Sequence, residues 1–225
     1  MKRHIPNFLT CCSLFSGCFA LVQISNGNLQ WVPYLVWIAA FFDFIDGFAA
    51  RLLKVSSPMG KELDSLSDMV SFGVVPGYFV YALLTAQTDN LWIPFIGFAI
   101  TIGSALRLAK FNIDERQSDQ FIGLPTPANA IFITGLIWLP ESWSLLLTTF
   151  VLIAIALVFS ILLNAELPLI ALKFKSYKWL PNTSRYLVIF STLGLIVFLG
   201  LQGVSLSIVS YLVISIVFTF TKSKD

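Results

Sequence analysis

Residues 41–72 read FFDFIDGFAARLLKVSSPMGKELDSLSDMVSF, and they place Asp43, Asp46, Asp64 and Asp68 in or beside runs apolar enough to sit in a bilayer. A charged side chain near the centre of a membrane costs about 2.5–3.5 kcal/mol on insertion scales, so ionisable residues in such runs mark a functional site by default. At about 100° per residue, Asp43, Asp46, Gly47, Ala50 and Arg51 fall within an arc of about 140° on one helix. Gly60, Asp64 and Asp68 line a stripe on the next helix. Ser56-Ser57-Pro58 supplies the turn between them, with a serine N-cap and Pro58 at the first helical position. Two acidic faces can then meet. Four carboxylates packed this closely repel one another or take up protons unless cations neutralise them. Oxygen-only ligands suit Mg²⁺ or Mn²⁺, and four carboxylates suffice for two such ions. Gly47 and Gly60 let a ligand approach the backbone, and Arg51 offers a fork suited to phosphate. These parts point to metal-assisted phosphoryl transfer.

The pattern Asp43-x2-Asp46-Gly47-x2-Ala50-Arg51-x8-Gly60-x3-Asp64-x3-Asp68 resembles the complete signature of the CDP-alcohol phosphatidyltransferases. That resemblance implies an integral membrane enzyme that exchanges the CMP of a CDP-linked lipid for an alcohol with the help of two divalent cations. It further implies that Asp43, Asp46, Asp64 and Asp68 hold the metals and that Asp68 takes the proton of the attacking hydroxyl. Gly47, Ala50, Arg51 and Gly60 would contact the nucleotide.

Composition gives the class independently. The 225 residues are 57% hydrophobic and only 12% charged, with a mean hydropathy of +0.84, against about 25% charged for an ordinary soluble domain. The expected fold is an all-α polytopic membrane bundle forming a single domain over 1–225. Apolar runs at 7–25, 29–53, 62–87, 91–112, 127–139, 143–166, 184–201 and 204–221 predict about eight helices. The fifth is short, and only Gln202-Gly203 divides the last two, which leaves six to eight open. A net charge of +2 is too small to imply a nucleic acid partner, and none is expected. Cys11, Cys12 and Cys18 all lie in the first apolar run, which argues against a disulfide framework.

The 14 Lys and Arg residues fall at the N-terminus (Lys2, Arg3) and around the second connection (Arg51, Lys54, Lys61). Others flank the fourth (Arg107, Lys110, Arg116) and the sixth (Lys173, Lys175, Lys178, Arg185), with Lys222 and Lys224 at the C-terminus. The odd-numbered connections carry Asp89 and Glu141 instead. The positive-inside rule then places both termini and the acidic site at the cytoplasmic face of an inner membrane. Lys2-Arg3 before an apolar run, with Phe15-Ser16-Gly17-Cys18 after it, admits a competing reading as a cleaved signal sequence. Phe15 and the early polar residues Asn7 and Thr10 argue against that. The opening Ile5-Pro6-Asn7 resembles the start of many family members, in which this Asn reaches the nucleotide; a helix cap at the interface is the other reading of Asn7.

His4 is the only histidine, so general-base work falls to a carboxylate, and a Ser/His/Asp apparatus is excluded by count. Residues 104–112 (SALRLAKFN) and 121–130 (FIGLPTPANA) resemble the branch of the family that uses serine. This implies transfer from CDP-diacylglycerol to L-serine with release of CMP, by a homodimer. Arg107 is then the natural partner of the acceptor carboxylate, with Lys110 and Asn112 beside it, although anchoring at the membrane interface also accounts for Arg107 and Lys110. A sister enzyme acting on glycerol 3-phosphate or an inositol phosphate shares the signature. A cation transporter could also carry carboxylates in its spans, but it has no need of the Gly47, Ala50, Arg51, Gly60 set.

Overall fold

The structure is a computed structural model, and it describes residues 4–55, 57–113, 121–140, 142–143, 147–170 and 179–222. Ser56, Glu141 and the basic residues Lys2, Arg3, Arg116, Lys173, Lys175, Lys178 and Lys224 lie outside them. Helix α1 (His4–Ser25) is followed by α2 (Val32–Leu53), α3 (Pro58–Asp68), α4 (Val75–Thr85) and α5 (Phe98–Ile113). A two-residue strand β1 (Phe121–Ile122) precedes α6 (Thr126–Gly135) and α7 (Thr149–Asn164). Strand β2 (Pro168–Leu169) pairs antiparallel with β1 before α8 (Thr183–Leu199) and α9 (Gln202–Lys222).

Five runs are long and apolar enough to cross a membrane: His4–Ser25, Leu29–Leu53, Pro58–Thr85, Ile93–Ile113 and Gln202–Thr219. Three shorter apolar helices cover Thr126–Trp138, Thr149–Asn164 and Thr183–Leu199. The described residues thus form the helical membrane bundle that the hydropathy predicts. Its outer surface is apolar, with Phe8, Phe15, Phe44, Phe150 and Phe198 exposed, as contact with lipid tails demands. The interior holds Phe72, Phe79, Leu84, Ile100, Ile133 and Leu152.

Polar contacts set the direction of the helices. Lys61 Nζ donates to the Asn112 carbonyl at 3.0 Å, so the start of α3 and the end of α5 share one end of the bundle. A cation there also complements the exposed carbonyls of a helix C-terminus. Gln87 Nε2 donates to the Leu147 carbonyl at 2.7 Å, which brings the connection after α4 and the start of α7 together. The start of α3 and the end of α5 therefore lie on one side, and the residues just after α4 and just before α7 meet on the other.

Helices α3 and α4 are continuous through a π-helical stretch, Met69–Val74, that hydropathy does not announce. The wider turn is supported from outside, because the Thr101 hydroxyl of α5 donates to the Gly73 carbonyl at 3.0 Å. Backbone contact is close nearby. A Cβ on Gly97 would stand 2.7 Å from the Tyr81 amide nitrogen and 2.8 Å from the Gly77 carbonyl oxygen, so glycine there is what lets the segment before α5 touch α4. On the opposite flank the hydroxyls of Ser67 and Ser71 donate to the Thr10 and Ser13 carbonyls at 3.2 and 3.1 Å. These bonds tie α1 to the helix that carries Asp64 and Asp68.

Candidate functional site

The turn between α2 and α3 forms as its sequence dictates. Lys54 ends α2 in the left-handed region at φ 52°, and its amide donates to the Ala50 and Arg51 carbonyls. Ser57 caps α3 by accepting from the Gly60 amide at 3.0 Å, and Pro58 follows at the first helical position. A cleft of about 350 Å³ opens against this turn. Pro6, Asn7 and Thr10 of α1 line it, with Asp43, Asp46, Gly47 and Ala50 of α2 and Val55 after it. Ser57, Gly60, Lys61 and Asp64 close the other wall.

Within the acidic group, one carboxylate oxygen each from Asp43, Asp64 and Asp68 lies within 4.8 Å of the other two. Two full charges 4.8 Å apart repel by about 3–4 kcal/mol at an effective dielectric of about 20, so the trio calls for a counter-charge. Oxygens around one Mg²⁺ at about 2.0–2.1 Å lie about 2.9–4.1 Å from each other, a contraction that small side-chain rotations supply. The donor set therefore fits a hard divalent cation. Asp46 stands apart from this trio. It is buried, and its Oδ2 accepts from the Thr10 hydroxyl at 2.5 Å. That bond fixes the carboxylate in the cleft wall, as a supporting partner does for a metal ligand.

Asn7 reaches Gly60 across the cleft: a Cβ on Gly60 would stand 3.2 Å from Asn7 Oδ1 and 3.1 Å from Ser57 Oγ. A Cβ on Gly47 would meet nothing within 4 Å, since that face is open to the cleft. Arg51, by contrast, is exposed in the last turn of α2 and does not line the cleft. The cation that does so is Lys61. Spacing held a clue to Thr10, which lies one helical turn beyond Asn7 on the same face, whereas Lys61 had no local signal.

Asp68 sits one turn beyond Asp64, away from the cleft lining. It is close enough to Arg107 for the two charges to interact. Arg107 is buried in α5, 5.9 Å from the Phe111 ring centroid, and its Nε has no hydrogen-bond partner among the described residues. Lys110 is exposed. Asn112 is engaged with α3, its Nδ2 donating to Ser65 Oγ at 2.9 Å.

Comparison with known proteins matches residues 3–162 to the CDP-alcohol phosphatidyltransferase family. The chain is 38% identical over 129 residues to the CDP-diacylglycerol–serine O-phosphatidyltransferase of Bacillus subtilis, covering 56% of this chain and 70% of that protein. It is 29% identical over 222 residues to the Helicobacter pylori protein of the same name, covering 94% of this chain and 89% of that protein. The Saccharomyces cerevisiae protein of that name is 36% identical over 149 residues, covering 59% of this chain and 53% of that protein.

Proposed function

The chain belongs to the CDP-alcohol phosphatidyltransferase family, and from that membership we propose that it transfers the phosphatidyl group of CDP-diacylglycerol to L-serine, giving phosphatidylserine and CMP. The observation that carries this reading is the acidic centre: Asp43, Asp46, Gly47, Ala50, Gly60 and Asp64 of the family signature line one cleft, and Asp68 converges on Asp43 and Asp64. The names of the relatives from Bacillus subtilis and Helicobacter pylori select serine among the acceptors.

In this reading Asp43, Asp46, Asp64 and Asp68 hold two divalent cations, Mg²⁺ or Mn²⁺, within a family that depends on divalent metals. The cations, when bound, neutralise the donor diphosphate and polarise the phosphorus under attack. Asn7, Gly47, Ala50 and Gly60 shape the nucleotide side of the cleft, and Arg51 meets the donor phosphates from the rim. The serine hydroxyl oxygen forms a bond to the lipid-bearing phosphorus, the bond from that phosphorus to CMP breaks, and Asp68 accepts the hydroxyl proton. Arg107 pairs with the serine carboxylate. Lys110 and Asn112 flank that position, Asn112 by holding α3 against α5. The chain works as a single domain, a reading that the packing of α9 on α6 supports, and as a homodimer with cleft and termini on the cytoplasmic side of the inner membrane. The gathering of Lys54, Lys61 and Lys110 at one end of the bundle supports that orientation.

An acceptor panel tests the assignment. Purified protein with CDP-diacylglycerol and divalent metal should release CMP with serine orders of magnitude faster than with glycerol 3-phosphate, inositol or inositol phosphate. A faster reaction with one of those would move the protein to a sister activity.

Gly47 tests the donor position. Because nothing stands within 4 Å of a Cβ there, Gly47→Ala should fold normally and gain up to about 1 kcal/mol of helix stability. The same methyl group should raise the KM for CDP-diacylglycerol about tenfold if the nucleotide approaches this backbone, and Gly47→Val should raise it further. Unchanged donor kinetics in both variants would place the nucleotide elsewhere.

A further inference from the structure

The wall of the acidic cleft holds one cationic residue to which the transfer step assigns no role. Lys61 lines the cleft beside Ser57, Gly60 and Asp64, and its side chain is exposed, so a ligand can reach its ammonium. The side chain is also anchored. Lys61 Nζ donates to the Asn112 carbonyl at 3.0 Å, Asn112 Nδ2 donates to Ser65 Oγ at 2.9 Å, and the Ser65 hydroxyl donates to the Lys61 carbonyl at 3.2 Å. These bonds close a ring that begins and ends on Lys61. The backbone beneath it is held as well, because the Lys61 amide donates to the Ser57 carbonyl at 3.2 Å.

The ring fixes the ammonium without exhausting it. A free lysine loses much rotamer entropy when it takes hold of a ligand, whereas a stem already tied at both ends has little left to lose. An ammonium has three donors. Asn112 takes one of them, and no other partner of Lys61 Nζ stands among the described residues. Charge points to the kind of ligand that the remaining donors suit. With two divalent cations bound, the four carboxylates of the centre are balanced, and a diphosphate joining a nucleoside to a lipid adds one negative charge per phosphate. Arg51 at the rim answers one of these charges. Lys61, the one lysine or arginine among the residues lining the cleft, answers the other.

Resting on the phosphatidyl-transfer reading, we propose that Lys61 binds the diphosphate of the CDP-linked donor, and that Ser65 and Asn112 are positioning residues that hold its ammonium ready for that contact. A charge-assisted bond to a phosphate oxygen is stronger than one to a neutral carbonyl, and the two spare donors allow it to form without displacing Asn112. Asn112 then serves the donor through Lys61 besides holding α3 against α5. A lysine at this end of the bundle could instead meet an anionic membrane surface. Its place in the cleft wall and the ring that restrains it favour the donor, since a membrane anchor has no need of a fixed ammonium.

The test uses the full chain with Mg²⁺ and CDP-diacylglycerol, and takes CDP and cytidine as competitive inhibitors against the donor. The two probes share base and sugar and differ by the diphosphate. Lys61→Met keeps the stem and removes the charge. It should raise the Ki for CDP and the KM for the donor about tenfold or more, leaving the cytidine Ki and the serine KM unchanged. Added salt should weaken CDP binding more in wild type than in this variant. Ser65→Ala keeps the charge and opens the ring, so it should raise the Ki for CDP severalfold, whereas Ser65→Thr, which retains the hydroxyl, should keep the wild-type value. Unchanged CDP and donor constants in Lys61→Met, with only a lower melting temperature or weaker adsorption to anionic vesicles, would make Lys61 a helix cap or membrane anchor and overturn the proposal while leaving phosphatidyl transfer intact. Should Lys61→Met fail to fold, Ser65→Ala decides, and an unchanged Ki for CDP there would overturn it. The expected donor effects with an acceptor other than serine would move the acceptor alone and leave Lys61 in place. Absence of CMP release with every acceptor, together with no inhibitory binding of CDP, would remove the transferase reading and this contact together.

Discussion

Asp68→Asn should lower kcat by about 10²–10⁴-fold, the range of a lost general base, while CDP-diacylglycerol still binds. Asp43→Asn should weaken donor binding and turnover together. The expectation follows from where the two carboxylates stand. Asp43 lines the cleft beside Gly47 and Asp64, where a diphosphate and its counter-ions would lie. Asp68 is outside that lining and close enough to Arg107, the proposed partner of the acceptor carboxylate, for the two charges to interact. An amide at position 68 keeps the size of the side chain and one oxygen that can still ligate, but it cannot accept the hydroxyl proton. Binding is read with a non-reacting CDP analogue, and turnover by CMP release at saturating serine. Equal loss of donor binding in the two variants would refute the division of roles.

Much of this site was legible because its parts are local. The i, i+3 and i+4 spacings of Asp43, Asp46, Gly47 and Ala50 fix one helix face whatever surrounds it, and Ser57-Pro58 encodes its turn and cap within two residues. Arg51 shows the limit of that logic. It lies within the same angular sector as the cleft residues, but its side chain is exposed in the last turn of α2 and does not line the cleft, although Ala50 before it and Val55 after it do. The π-helical stretch was not legible at all, because one shifted hydrogen-bond register depends on a hydroxyl 28 residues away, that of Thr101. Lys61 and Asn112 pair over a separation of 51 residues, so the cation that lines the cleft and the loss of Asn112 to a structural role emerge only from packing. Asn129 is the clearest case. It lies in the 121–130 stretch that the resemblance singles out, but its complete burial emerges only from packing.

Removal of divalent metal should abolish turnover, and Mg²⁺ or Mn²⁺ should restore it. The argument is electrostatic before it is chemical. The oxygens of Asp43, Asp64 and Asp68 lie within 4.8 Å of one another, and Arg107 is close enough to Asp68 to interact with it. Lys61 is directed to the Asn112 carbonyl. A donor diphosphate brought to this cleft adds negative charge to an already acidic wall, so without cations the donor should not bind. The chain's own contribution is to hold the oxygens in place: Asp46 is fixed by Thr10, and α3 is tied to α1 through Ser67 and Ser71. A second readout separates metal binding from catalysis. A ligand that binds only the folded state at 100 times its Kd stabilises it by about 2.7 kcal/mol, so Mg²⁺ should raise the melting temperature of the wild-type protein without any substrate. Asp64→Asn should reduce that shift sharply, because it removes one of the three converging charges. Full activity in the presence of EDTA, with a melting temperature indifferent to Mg²⁺, would show that the carboxylates are neutralised in some other way and would remove the basis for metal-assisted transfer at this site.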